Sequence, residues 1–256
     1  MAQYSTHPGA ADALAAALAE LGPMTQTIKP PDTAVSRYVG RVPDILLDLW
    51  TGTGVGDLRD GTLRLCLPLE LAPQIADLFR GDPDFGFPRD VEDHRPVIAA
   101  DGTPTRRDTD VHAVAHTVFG DLFLWSERHG LMHVNIVQGL IEAPFLFAPD
   151  AAPHPDDATI NLILRTDPFL LDMDDRDMQP MHGRALEKFG PLRRMFIYAP
   201  GPAATHDPIP TVDALFPHTF PEWLEERIRS KRWFLSDMST QRFDVRPIGL
   251  RPEATR

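Results

Sequence analysis

The sequence predicts an α+β fold in which antiparallel sheets are flanked by helices and two subdomains pack together. Apolar residues recur at helical spacing in residues 10–22 and again in residues 220–234. Two short apolar runs on either side of Phe119-Gly120-Asp121 are typical of a β-hairpin. A proline-rich stretch divides the chain, and with 43% hydrophobic residues among 256 the protein can bury a sizeable core.

The first half of the chain is predicted to contain helices, a glycine-rich loop and the hairpin. Gly22 is a stop signal for the first helix, and Pro43 suits the first turn of the second helix. Four glycines in residues 52–61 predict a loop with many turns, and Pro68 stops the strand that follows. The elements predicted here are helices over residues 10–22, 44–51 and 70–80, strands over residues 62–67, 111–118, 122–126 and 132–137, and an irregular stretch over residues 82–107.

The second half is predicted to consist mainly of helices around one short buried strand. Residues 148–157 contain three prolines and no apolar periodicity, which is typical of an exposed linker. The predicted elements are helices over residues 160–171, 185–189 and 220–234, and a strand over residues 195–198. We therefore divide the chain into an α+β domain over residues 1–147, a linker over residues 148–157, and a C-terminal helical or α+β subdomain over residues 158–256.

The sequence predicts structural roles for two tryptophans, two glycines and the single cysteine. Trp50 and Trp125 each close an apolar segment, so both are expected in the core. Gly61 and Gly120 lie beside an aspartate between apolar runs, as in tight turns where a Cβ is disfavoured. Cys66 lies in an apolar stretch and cannot pair within the chain, which favours a small core residue over a nucleophile and indicates a reducing compartment.

The charge of the chain narrows the range of partners. With 37 acidic and 25 basic residues the net charge is −12, which repels nucleic acid phosphates and anionic lipids and speeds encounter with basic partners. Residues 142–177 carry nine acidic residues and two arginines, whereas residues 178–256 carry nine acidic and twelve basic residues. No secretory or membrane segment is evident, so we expect a cytoplasmic protein.

Metal-binding and catalytic patterns are weak throughout the sequence. His112 and His116, like His129 and His133, are spaced i, i+4, but in a strand such a pair is roughly 13 Å apart, too far to share one ion. No Ser-His-Asp or Cys-His signature is present. We therefore expect no enzyme, no metal site and no cofactor, with a metal-dependent hydrolase that uses His112 or His116 as an alternative.

A group of aspartates past the middle of the chain provides the candidate partner-binding residues. The run that begins at Asp172 resembles the start of a calcium loop. Its sixth position, where that loop needs glycine, is Asp177. Two interpretations stay open, namely a solvated acidic loop and a docking surface for a basic partner. The candidates are Asp156, Asp157, Asp172, Asp174, Asp175 and Asp177.

A group of basic residues near the C-terminus could instead contact DNA. These residues are interleaved with glutamates at i, i+4 spacing, so intrahelical ion pairs account for them adequately. DNA contact therefore remains an alternative. The residues are Arg227, Arg229, Lys231 and Arg232 beside Trp233, with Arg193 and Arg194 as further members.

Three blocks of the sequence, taken together, resemble known families. Residues 42–50, VPDILLDLW, followed by glycines, Asp60-Gly61 and an apolar strand, resemble the GAD-like domain. Residues 118–125, VFGDLFLW, are similar to the segment that accompanies that domain. Residues 185–192, ALEKFGPL, with the later Tyr198-Ala199-Pro200, are similar to the C-terminal domain of type VI secretion immunity proteins.

This resemblance implies a protein that binds a toxic effector encoded beside it, commonly a DNase, and keeps the effector harmless inside the producing cell. We therefore expect a non-enzymatic inhibitor of a type VI secretion effector, with the effector as its protein partner. A DNA-binding autoregulator is the main alternative.

Overall fold

The computed structural model describes residues 8–86, 97–98, 104–105, 109–166, 171–201, 210–237 and 242–249. Within these residues it contains eight α-helices, several 3₁₀ turns and thirteen strands. The helices are α1 (Ala10–Leu21), α2 (Asp32–Val35), α3 (Asp44–Gly52), α4 (Ala72–Leu78), α5 (Pro144–Phe147), α6 (Pro155–Arg165), α7 (His182–Phe189) and α8 (Phe220–Ser230). None of these helices has the length and apolar character needed to cross a membrane.

The strands form one large sheet and two small ones. They are β1 (Thr25–Ile28), β2 (Val55–Leu58), β3 (Leu63–Leu65), β4 (Val97–Ile98), β5 (Pro104–Thr105), β6 (Val111–Thr117), β7 (Leu122–Ser126), β8 (Gly130–Asn135), β9 (Leu140–Glu142), β10 (Phe196–Pro200), β11 (Leu215–Thr219), β12 (Phe234–Asp237) and β13 (Arg242–Pro247). The large sheet has nine strands in the order β1-β2-β3-β6-β7-β8-β9-β12-β13. Its strands pair antiparallel except for β9 and β12, which run parallel.

The predicted α+β class with an antiparallel sheet is confirmed. The alternation of side chains along β7 shows how the sheet separates two hydrophobic cores. Phe123 and Trp125 pack into the core that contains residues of α1, α3 and α6. Leu122 and Leu124 point to the opposite face and pack with residues of α4 and α8. Because side chains alternate along a strand, this one hydrophobic segment supplies both layers. Helices therefore cover both faces of the central strands.

Several predicted elements are confirmed, with shifts at their ends. Helix α1, helix α3 and the β6–β7 hairpin lie where the sequence predicted them. The prediction of a glycine-rich loop over residues 52–61 was wrong in part, because Val55–Leu58 form strand β2 between β1 and β3. Gly56 permits this arrangement, since a Cβ added there would lie 2.5 Å from the Thr25 carbonyl oxygen of β1. Most of the predicted irregular stretch over residues 82–107 lies outside the described residues.

The helix predicted over residues 220–234 was wrong at its C-terminal end. Helix α8 stops at Ser230, and residues from Phe234 onward form strand β12 in the large sheet. Strand β12 lies beside β9, so a strand from the C-terminal segment extends a sheet that begins in the N-terminal segment. The predicted linker contains a 3₁₀ turn (Pro149–Ala151) and the first turn of α6. The domain boundaries themselves stay a prediction.

Arg64 and Arg194 join the N-terminal half to residues 192–196. Arg64 on β3 is opposite Asp57 on β2, and its Nε and Nη2 atoms donate to the two Asp57 carboxylate oxygens at 3.0 and 2.6 Å. The Arg64 guanidinium also donates to the backbone carbonyls of residues 192, 193 and 196 at 3.2, 3.1 and 2.7 Å. Arg194 forms a two-pronged pair with Glu70 and donates to the Leu65 carbonyl at 3.4 Å. These contacts hold the C-terminal segment against strand β3.

Replacing Gly120 or Gly61 by alanine is expected to destabilise the fold by roughly 1 kcal/mol or more. Both glycines have positive φ, at 98° and 90°, as the turn prediction requires. At Gly120 an added Cβ would also lie 3.1 Å from Cδ1 of Ile197. Chemical denaturation measures the effect, and Gly183→Ala is the control because that helical glycine has open space around it. Equal stability of all three variants would contradict the prediction.

Candidate functional site

A groove of about 830 Å³ lies between the large sheet and the acidic segment that follows α6. Its floor comes from the β6–β7 turn and from the end of β8 with the loop that follows, and its other wall comes from residues 171–178. The lining residues are Thr117, Phe119, Asp121, His133, Asn135, Val137, Gln138, Leu171, Asp172, Met173, Asp174, Asp175 and Met178. Four of the six predicted aspartates belong to this acidic segment, and the structure places three of them in the groove lining.

Asp172 and Asp175 build the acidic wall and have little freedom to rotate away from it. The Asp172 Oδ1 atom accepts hydrogen bonds from the backbone N–H groups of Met173, Met181 and His182 at 2.7, 3.1 and 2.9 Å. This carboxylate therefore satisfies free N–H groups at the start of helix α7. Asp175 is buried, and its Oδ1 atom accepts from the N–H groups of residues 177 and 179 at 2.9 and 3.1 Å.

The Asp175 carboxylate also pairs with Arg184 of α7 at 2.5 Å. The hydrogen bond from the Arg184 guanidinium, together with the backbone donors, lowers the pKa of Asp175 below its usual range. A tight turn closes around it, because the Met178 N–H donates to the Asp175 carbonyl and the Asp175 N–H donates to the Gln179 carbonyl, both at 3.0 Å. The loop is thus organised by its own hydrogen bonds before any partner arrives.

Asp174, Asp177 and Met178 are presented by this loop. Met178 is 70% exposed and has a φ of 55°, a left-handed conformation that is uncommon for a residue with a side chain. Asp177 is exposed, and Asp174 is half-buried on the groove wall. Among the described residues, the Asp174 carboxylate has no hydrogen bond or ion pair. These three side chains are therefore the part of the acidic segment that is available for contact.

The floor of the groove contains a histidine with an unused ring nitrogen. His133 on β8 is opposite Phe123 on β7, and the two rings stack with centroids 5.2 Å apart. The His133 Nδ1 atom lies 3.7 Å from Oε2 of Glu142, whereas Nε2 is buried and has no hydrogen-bond partner in the part of the chain that the structure describes. Burial raises the pKa of the neighbouring Asp121, whose Oδ1 atom accepts from the Ile136 N–H at 2.9 Å.

The described lining of the groove has a single sign of charge. Asp121, Asp172, Asp174 and Asp175 contribute four carboxyl groups, and the described lining includes no lysine or arginine. Arg184 offsets the charge of Asp175, and burial favours the neutral form of Asp121, so the field that attracts cations comes mainly from Asp172 and Asp174. The apolar residues of the groove, among them Phe119 and Met178, add surface for aliphatic groups. The geometry therefore suits a ligand with both a positive charge and an aliphatic portion.

Asp156 and Asp157 lie away from this groove, on the first turn of α6. Asp156 is buried, and its Oδ1 atom accepts from the Ile45 N–H at 3.0 Å, so it ties α6 to the start of α3. Asp157 is half-buried and is not among the lining residues. The structure thus brings together Asp172, Asp174 and Asp175, with Asp177 next to them, and leaves Asp156 and Asp157 elsewhere.

The basic residues proposed for DNA contact are largely engaged in the fold. Arg229 pairs with Glu225, as the i, i+4 spacing predicted. Arg227 lies over the Trp223 ring with its guanidinium carbon 4.9 Å from the centroid. The Lys231 ammonium donates to the Val137 carbonyl. Arg193 and Arg194 belong to the segment held against β3, and DNA contact stays a prediction.

The other histidines and the cysteine considered from the sequence, His112, His116 and Cys66, have contacts or burial typical of structural residues. In strand β6, His112 contacts the Glu127 carboxylate at 2.7 Å, while His116 is buried and donates from Nδ1 to the Thr117 carbonyl at 2.9 Å. Burial lowers the pKa of His116 to about 3. Burial also raises the pKa of the Cys66 thiol, as expected for a core residue. Across the described residues, no group of three or more His, Cys, Asp or Glu side chains could hold a metal ion.

Sequence reasoning missed His133, Asn135 and Met178 as members of one site. The sequence spacing pairs His133 with His129 as a possible metal ligand, and no sequence pattern singles out Met178. Asp121 lay in the VFGDLFLW block, which was the one signal that this turn matters beyond its geometry. Strand geometry explains why His133 and Asn135 line the same groove, since side chains two residues apart on β8 share a face.

Comparison with known proteins finds a family model that matches part of the chain. Residues 12–94 match the GAD-like domain. This match covers α1 through α4 and strands β1 to β3, and the groove residues lie beyond it in the chain.

The whole fold is similar to the crystal structure of Atu4351 from Agrobacterium tumefaciens, with a TM-score of 0.77 and 20% sequence identity. That similarity covers 93% of this chain and 98% of that chain. The comparison with curated proteins gives no match.

Proposed function

We propose that this protein is an immunity protein that binds a toxic type VI secretion effector and neutralises it in the cytoplasm of the producing cell. The match to the GAD-like domain supports this proposal, because it includes residues 42–50, one of the three blocks on which the resemblance to immunity proteins rests. The observation that carries it is the groove, which offers four carboxyl groups and has no lysine or arginine in its described lining.

A nuclease is the effector class that this surface favours. A nuclease must present lysine and arginine to the phosphates of its substrate. A protein that offers carboxylates competes for the same positive charges, so binding blocks substrate. Charge complementarity also speeds encounter, which matters when a toxin must be captured before it acts.

The energetic requirement is within reach of an ordinary interface. Neutralisation needs tight binding, and a Kd near 1 nM corresponds to about −12 kcal/mol. An interface of about 1,600 Å² with a few well-packed anchors reaches this range. No catalytic step is needed, because one inhibitor molecule disables one effector molecule.

The decisive experiment is a neutralisation assay with the effector encoded beside this chain. We expect nuclease activity to fall to background at one molar equivalent of the chain, and we expect co-expression to restore growth. A gel shift with the DNA upstream of the gene tests the autoregulator alternative in parallel. Full nuclease activity in the presence of excess folded chain would overturn the proposal.

Replacing Asp174 and Asp177 together by asparagine is expected to slow association with the effector several-fold and to flatten its salt dependence, because Asp177 is exposed at the rim and Asp174, unpaired among the described residues, lies on the groove wall beside it. Asp172 and Asp175 are left intact because they build the loop. The matched control is Asp150→Asn with Asp157→Asn, which removes the same charge elsewhere. Stopped-flow binding at two salt concentrations measures the effect. An unchanged association rate and salt slope would show that the rim is merely solvated.

A further inference from the structure

His116 lies where the two halves of the chain meet. It is buried on strand β6, directly opposite Arg64 of β3. Its Nδ1 atom donates to the Thr117 carbonyl at 2.9 Å, and its ring packs on the Phe220 ring of α8 with the centroids 4.6 Å apart. The histidine ring is therefore enclosed between a strand of the N-terminal half and a helix of the C-terminal half.

The contact between strand β3 and residues 192–196, which we call the seam, has a balanced set of charges. Arg64 pairs with Asp57, and Arg194 pairs with Glu70. These four side chains are at most 19% exposed. Two cations therefore meet two carboxylates at the seam, and neither carboxylate is left for a third positive charge.

The surroundings of His116 oppose a positive charge on its ring. Burial lowers the pKa of His116 to about 3, and the nearby guanidinium groups of Arg64 and Arg194 lower it further. The hydrogen bond to the neighbouring backbone carbonyl opposes these effects only in part. Strand β7 and helix α8 contribute the apolar side chains of Leu122 and Phe220. The neutral ring is therefore the form that the closed fold accommodates.

We propose that His116 is an acid-sensitive switch, so that protonation of its ring opens the seam before the rest of the fold unfolds. Opening lets the charged ring reach water and separates it from the two arginines. Helix α7 leads towards residues 192–196 and, through Arg184, pairs with Asp175 in the groove wall. Opening of the seam therefore also loosens that wall, which couples the candidate site to pH.

The direction of the pH effect follows from the two states of the ring. In the closed fold the pKa of His116 lies far below the ordinary histidine value of about 6.5, whereas in the open state it returns towards that value. The open state therefore binds one more proton in mild acid, and the closed state loses stability as the pH falls below about 6.5. Between about pH 7.5 and about pH 5 this linkage raises the open fraction roughly 30-fold.

Cys66 is a natural reporter of the seam, because it is the single cysteine of the chain and is buried. It directly follows β3, and its N–H donates to the Val114 carbonyl of β6 at 3.1 Å, which continues the strand pairing. Side chains two residues apart on a strand share a face, so the Cys66 thiol lies on the face of Arg64. It packs in one hydrophobic cluster with Ile197 and Phe220. Opening of the seam therefore exposes the thiol.

The test measures how fast 4,4′-dithiodipyridine labels Cys66 in the full chain at about pH 7.5 and about pH 5. Each rate is divided by the rate for the urea-unfolded chain at the same pH, which removes the pH dependence of the reagent and the thiol. We expect this ratio to rise roughly 30-fold in acid for the unmodified chain, and to change less than about 3-fold for His116→Gln and His116→Phe.

The two variants at His116 retain different contacts of the ring. Glutamine can still donate to the Thr117 carbonyl, and phenylalanine keeps a ring against Phe220. The control is His129→Gln, which removes a histidine that packs against Phe85 and is expected to behave like the unmodified chain. Far-UV circular dichroism at both pH values shows which variants keep the closed fold.

Three results would overturn the inference. The first is a labelling ratio that does not change with pH in the unmodified chain, and the second is an equal change in the folded His116 variants. The third concerns low urea concentrations, because local opening exposes little surface and depends weakly on urea. A urea dependence of labelling equal to that of global unfolding at both pH values would show that the whole fold opens together.

Discussion

Replacing Arg64 by methionine is expected to remove about 3–5 kcal/mol from the free energy of unfolding. The Arg64 and Asp57 side chains are only 4% and 6% exposed, so the variant leaves a buried carboxylate whose main described counter-charge is gone. Three backbone carbonyls of residues 192–196 lose their donor as well. Gln26 still donates to Asp57 at 2.9 Å, which lessens the loss but does not supply charge.

Urea denaturation measures this effect, and the Arg80–Asp77 pair provides a matched control. Those two side chains are 54% and 36% exposed, so Arg80→Met is expected to cost only about 0.2–1 kcal/mol. The double variant Arg64→Met with Asp57→Leu should recover part of the stability, because no unpaired charge remains. If Arg64→Met and Arg80→Met had similar stability, the buried pair would not hold the two halves together.

The Arg64 network shows why local patterns revealed only part of the fold. Helix α1, helix α3 and the β6–β7 hairpin were predictable because their apolar spacing and their stop signals lie within a few residues. Strands β1, β2 and β12 each have at least one partner far away in the chain, and each is short enough that no period is visible. The pairing of β9 with β12 joins residues more than ninety positions apart, and nothing local specifies it.

The candidate site was predictable to a similar extent. Charge counting located the acidic segment, because net charge is a property of sequence alone. It could not distinguish Asp172 and Asp175, which bind backbone N–H groups, from Asp174 and Asp177, which do not serve as loop supports. That difference depends on the three-dimensional path of a turn. The contribution of His133 depends on strand register, which the sequence does not specify.

Replacing Trp50 by alanine is expected to cost about 3–5 kcal/mol of the free energy of unfolding. The prediction that Trp50 and Trp125 are core residues is confirmed, since Trp50 is fully buried and Trp125 is 8% exposed. Trp50 also meets the Tyr38 ring edge-on at 6.0 Å. Truncation would leave a large cavity among helices α1, α3 and α6, and surrounding residues can fill it only partly.

Trp50→Phe separates this packing effect from any polar contribution of the indole. The Trp50 Nε1 atom is buried without a partner among the described residues, so the phenylalanine variant loses no hydrogen bond and should cost clearly less than the alanine variant, which leaves a larger cavity. Thermal and urea denaturation measure both variants, and effector binding is measured below their melting temperatures. Trp50 is not among the groove-lining residues, so the folded fraction should bind normally. An unchanged melting temperature together with lost binding would show that Trp50 serves recognition and not the core.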